Sequence, residues 1–186
     1  MTTLSSTAAS RLCAACGMCC NGVLFQTVRL QPDDSPKQLL SLGLKLKYKD
    51  RAQCLIQPCQ AHRDSQCTIY AHRPKRCRLF ECRQLKRVAS GEISEDAAME
   101  KIQDAVSQVA HVNTLFGRMG NTNLKRPFLK RYKLIMAEPV ELSPEPEILE
   151  LRNHLTAAVE KLDDFLNREF RLEVLVTTPA DSDAPM

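Results

Sequence analysis

Tryptophan is absent from this sequence, and three tyrosines and six phenylalanines are all its aromatic residues. Few large rings are available as core anchors, so aliphatic residues at regular spacing must supply most of the burial. No glycine-rich nucleotide loop, no H-E-x-x-H and no Ser/His/Asp pattern occurs, and catalysis by protein side chains alone has no support. No apolar run approaches the ~20 residues of a spanning helix, so no membrane partner is expected. Met1–Ser10 lacks the apolar centre of a secretory signal, and its want of acids before Arg11 is only a weak organelle-targeting pattern. A reducing cytoplasm is the expected setting.

Another absence is positional. All nine cysteines lie between Cys13 and Cys82, and residues 83–186 have none. A disulfide framework spreads its bridges over the domain it braces, so an odd set confined to one half argues for metal ligands instead. Charge is divided as well. From Glu138 onward twelve acids oppose four basic residues, a net of −8, so the +4 of the whole chain leaves +12 on residues 1–137. Such a basic half implies an anionic partner or anionic contents, and clustered thiolates are anionic contents.

The first cluster reads Cys13-x-x-Cys16-x-x-Cys19-Cys20. Two intervening residues let the chain curl so that successive sulfurs converge on one point, and Gly17 permits the tight backbone. Adjacent side chains diverge, so only one of Cys19 and Cys20 faces a first metal, leaving the other for a second metal or a sulfide cage. Cys54, Cys59, Cys67, Cys77 and Cys82 follow, exceeding the four ligands of one tetrahedral ion. Two zinc sites, two iron–sulfur clusters, or one of each satisfy the count; the spacing slightly favours iron–sulfur, as 4Fe–4S. Residues 51–88 hold nine Arg or Lys and two acids. Lys75, Arg76, Arg78 and Arg83 flank Cys77 and Cys82, and this basic shell is expected to lower the thiol pKa values.

Two segments, Cys13-Ala-Ala-Cys-Gly-Met-Cys-Cys20 and Cys67-Thr-Ile-Tyr-Ala-His-Arg-Pro-Lys-Arg-Cys-Arg-Leu-Phe-Glu-Cys82, with Pro58-Cys59 before the second, resemble the CxxCxxCC, or YkgJ-like, cysteine-cluster family, described as zinc- or iron-chelating. The resemblance covers about residues 13–90. It implies a ligand set of Cys13, Cys16, Cys19, Cys20, Cys59, Cys67, Cys77 and Cys82. Cys54 is then the spare, with exchange against Cys59 as the alternative. It implies no settled reaction.

The expected fold is α-rich α+β: a small, irregular cysteine-ligated domain followed by packed helices. Residues 1–12 read as a disordered lead-in, 13–90 as the metal-binding domain, 91–176 as mainly helical and 177–186 as a loose tail. Strands are expected over 22–30 and 44–48, with a short helix from Ser35-Pro36 to Gly43 between them. Further helices are expected near Pro74, around Leu85–Ala89, from Ser94 to about Phe116, and from Ser143-Pro144 through Leu166, with a terminal strand at 172–176.

Arg73 and Pro74 lie between Cys67 and Cys77. Arg73 either bonds carbonyls or sulfurs of the ligand loops or pairs with acids elsewhere. His62 and His72 are weighed as further ligands against solvent-facing imidazoles. Arg118–Lys133 holds six basic residues and no acid. An intramolecular role opposite the acidic C-terminal part is favoured there over nucleic-acid binding. The reading is a metal-binding protein in electron transfer or metal handling, with a redox partner protein. Its alternatives are a cluster-containing redox or modifying enzyme with Cys54 as the reactive thiol, and a zinc-dependent nucleic-acid-binding protein.

Overall fold

The long amphipathic segment after Ser94 organises the molecule. In the computed structural model, which describes residues 6–64, 66–138 and 146–172, it forms a helix, Glu95–Arg118. Ser94 caps it by accepting the Ala97 N–H at 3.1 Å, and Glu95 and Asp96 stand in the positive first turn. Its buried face, Ala98, Ile102, Ala105, Val109, Val112, Leu115 and Phe116, keeps the helical spacing of the sequence.

The chain order is α1 (Ser6–Cys16), β1 (Thr27–Arg29), α2 (Pro36–Ser41), β2 (Leu46–Lys49), β3 (Ala52–Ile56), β4 (His62–Arg63), β5 (Gln66–Cys67), a 3-10 turn (Tyr70–His72), α3 (Lys75–Leu79), α4 (Arg83–Ala89), α5 (Glu95–Arg118), α6 (Phe128–Ala137) and α7 (Pro146–Glu169). The α-rich α+β class is as expected. Helices α1 and α7 both lie along α5. Leu12, Met18, Val23, Leu85 and Phe128 join Leu155, Leu162 and Phe170 in one helical core. A smaller core of Leu39, Leu44, Leu55 and Ala61 lies under an antiparallel sheet of order β1-β3-β2, with Val28 and Leu46 both opposite Leu55. The helix after Ser35-Pro36 forms as read, the serine accepting the Gln38 N–H at 3.3 Å.

Several expectations give way. The lead-in is helical from Ser6, because Ala8 and Leu12 have a face of α5 to bury against. Arg11 secures that contact with two bonds to Glu95, at 2.8 and 2.6 Å. The first expected strand shrinks to Thr27–Arg29, since residues 17–24 are used in turns. The alternation at 44–48 does not mark a half-buried strand throughout, because Tyr48 is 75% exposed. Strand β3 and helix α6 were not foreseen. The buried positions of α6, Phe128, Arg131 and Ile135, include an arginine, which disguises the apolar stripe. The readings at Ser143-Pro144 and over 173–186 lie outside the described residues. Among the described residues no helix is long and apolar enough to cross a membrane.

Candidate metal centre

The first cysteine motif is partly helix and partly turn. Cys13 and Cys16 are one turn apart at the end of α1 and share a face. Gly17 ends the helix at φ +60°, its N–H donating to the Cys13 carbonyl at 3.0 Å, the left-handed stop that glycine makes at least cost. The N–H groups of Cys20 and Asn21 return to the Gly17 carbonyl at 2.9 Å, turning the chain sharply through Cys19 and Cys20. Met18, 1% exposed, anchors this turn in the helical core.

The second group arrives on short pieces tied to the first. The Cys59 N–H donates to the Cys20 carbonyl at 2.7 Å. Cys67 ends the β4–β5 hairpin opposite His62. Cys77 rides on α3, whose first N–H, from Lys75, donates to Asp34 Oδ1 at 2.7 Å. Phe80, just beyond α3, meets Phe25 edge-on at 4.9 Å and draws this segment against the chain leading into β1. Cys82 caps α4. That helix is docked on the end of α7, where Arg83 N–H reaches the Phe170 carbonyl at 3.0 Å and Gln84 Nε2 the Glu169 carbonyl at 2.8 Å. The last carbonyls of α7 thus receive donors from α4, and the C-terminal helix helps position a cysteine of the motif region.

All nine thiols are free. Cys54 is buried within β3, its Sγ 3.8 Å from the Ala52 carbonyl oxygen, and offers no accessible thiol. The other eight lie on two segments that the Cys59–Cys20 backbone bond ties together. Burial, then Cys82, raises the pKa of Cys13, with Arg73 opposing. Burial pushes Cys16 to about 12, the Met18 N–H opposing and Cys82 and Cys13 adding. Cys19 is held well above the ordinary thiol value by burial, then by Cys16, Cys82, Cys20 and Cys13. Burial, then Cys59, Cys77, Cys67 and Cys13, brings Cys20 to about 12. Cys77 reaches about 11 through burial and then Cys59, with Arg73 opposing. Burial raises Cys59 and Cys82 as well, opposed by nearby backbone N–H groups, those of Ala61 and His62 at Cys59 and those of Leu85 and Gln84 at Cys82.

The expected lowering by basic neighbours is therefore reversed at these thiols. Lys75 pairs with Asp33 at 2.6 Å, Arg83 Nη1 reaches the Arg168 carbonyl at 2.6 Å, and Arg76 and Arg78 face solvent. Arg73 alone among the cations acts on both Cys13 and Cys77. It also donates to the Tyr70 carbonyl at 3.1 Å and stacks on the Tyr70 ring at 3.6 Å, the carbonyl-bonding role weighed for it.

His62 and His72 part company. His72 is exposed, its Nδ1 3.5 Å from Gln38 Nε2. His62 Nε2 is buried without a hydrogen-bond partner, and burial lowers its pKa. Its ring faces Gly17, where an added Cβ would stand 3.1 Å from Cε1 and 3.2 Å from Nε2. The basic stretch is used in part internally: Arg131, 3% exposed, donates to Asn113 Oδ1 at 2.6 Å and to the Asn121 carbonyl at 3.0 Å, while its guanidinium covers the Phe116 ring at 4.4 Å.

The donor chemistry fits soft-metal binding: eight free thiols on two segments tied together at Cys20 and Cys59, and an orphaned imidazole nitrogen beside the first motif. Among the described residues, however, no three or more His, Cys, Asp and Glu side chains are gathered tightly enough to form a ready-made ion site. No curated protein and no solved structure matches the chain. A family model described as "CxxCxxCC: Putative zinc- or iron-chelating domain" matches residues 12–105, running past the expected limit near 90 into α5. That match takes in about half of the chain, and the protein belongs to this zinc- or iron-chelating family.

Proposed function

We propose that the chain holds an iron–sulfur cluster or zinc through Cys13, Cys16, Cys19, Cys20, Cys59, Cys67, Cys77 and Cys82, and serves electron transfer or metal handling with a redox partner protein. The observation that carries this reading is the backbone tie between the two cysteine segments, the Cys59 N–H on the Cys20 carbonyl at 2.7 Å, with Cys54 apart inside a strand. Bound there, zinc supplies a structural cross-link and a 4Fe–4S core supplies one-electron redox capacity. The C-x-x-C-x-x-C spacing favours the cluster.

The chain's own residues do the rest. Zinc or a cluster held there would take the thiols as thiolates, so its binding would release protons from thiols that burial holds above their ordinary pKa. Purification without oxygen, followed by metal and acid-labile sulfide analysis, tests the reading. Brown protein with sulfide supports iron–sulfur, and colourless protein with stoichiometric zinc supports zinc. Metal no higher than in a Cys16→Ala/Cys77→Ala variant overturns both. Cys54→Ala is expected to keep wild-type metal content, and a loss would move Cys54 into the ligand set.

A further inference from the structure

We infer that on metal binding the eight thiols divide between two adjacent four-sulfur centres, one from Cys13, Cys16, Cys19 and Cys82 and the other from Cys20, Cys59, Cys67 and Cys77. The inference rests on the metal-binding reading above and deepens it, because spacing alone leaves the number of centres open.

Packing makes the division first. Cys16 and Cys82 pack against the helical core, whereas Cys59, Cys67 and Cys77 pack against the small core of Leu39, Leu44, Leu55 and Ala61. The backbone repeats it. Cys13 and Cys16 sit on α1, which lies along α5, and Cys82 caps α4, which docks on both α5 and the end of α7. Cys59 is bonded to the carbonyl of Cys20, and two residues later Ala61 accepts the Thr68 N–H at 2.8 Å, next to Cys67. The adjacent pair Cys19-Cys20 is the junction, its two side chains diverging as neighbours along a chain must.

Native mass spectrometry of the full chain, loaded anaerobically with Zn²⁺ or with ferrous iron and sulfide, counts centres on folded molecules only. Wild type is expected to carry two equal loads. Cys82→Ser and Cys67→Ser are each expected to retain about half, as is the within-set double Cys13→Ser/Cys82→Ser. The cross-set double Cys13→Ser/Cys67→Ser is expected to lose nearly all. Cys13 lies at the exposed rim, so its substitution spares the core. A wild type that takes one load and loses it in every single variant overturns the division but leaves the metal reading intact, as does a cross-set double that retains half. A wild type that takes up neither metal overturns the metal reading itself.

Discussion

Replacing Gly17 by alanine tests the turn that sets the spacing of the first motif. At φ +60° an alanine pays a left-handed backbone penalty of about 1–2 kcal/mol. Its Cβ would also stand 3.1–3.2 Å from the His62 ring, and crowding of this kind in a packed site typically costs about 1–3 kcal/mol more. Gly43 supplies the control, since its φ is +81° and an added Cβ there meets nothing within 4 Å. Only the backbone term applies to it. Gly17→Ala is therefore expected to exceed Gly43→Ala by about 1–3 kcal/mol, or roughly 2–10 °C in melting temperature for a chain of this size. Anaerobic urea unfolding at fixed free metal, followed by far-UV circular dichroism, measures the difference. His62→Ala and the Gly17→Ala/His62→Ala double complete the cycle, in which the excess should vanish. Equal midpoints for the two glycine variants, or an excess that persists without the imidazole, would refute the contact.

Two further outcomes concern the helical part. Leu12→Ala is expected to destabilise by about 2–5 kcal/mol, because Leu12 is 1% exposed in the core shared with α5; a thermal shift no larger than that of an exposed alanine substitution would return α1 to the status of a loose leader. Arg131→Ala is expected to cost about 2–3 kcal/mol through the lost bonds to Asn113 and Asn121, against about 0.5 or less for exposed Lys130→Ala. Similar unfolding curves for the two would leave Arg131 as one more surface charge.

Local patterns were legible wherever one stretch of chain carried the whole signal. Ser94 with Glu95 and Asp96 starts α5, Ser35-Pro36 starts α2, and the thiol spacings mark the ligand-bearing segments without reference to anything distant. Helix α1 was hidden because its burial depends on α5, more than eighty residues away. Helix α6 was hidden because a buried arginine occupies its apolar stripe, satisfied by Asn113 on α5 and by Asn121 in the loop that follows. The thiol pKa values ran opposite to the local charge because the flanking cations turn toward Asp33, a distant carbonyl or solvent, leaving burial to dominate.

The number, spacing and confinement of the cysteines already pointed to metal binding before any fold was known, and the family follows from the same residues. That Cys59 is tied to Cys20, that Cys54 is enclosed in a strand, and that α7 helps hold Cys82 in place emerge only from the folded chain. The reason is that spacing records how far a side chain can reach along its own segment, whereas the company it keeps depends on which core each segment packs against.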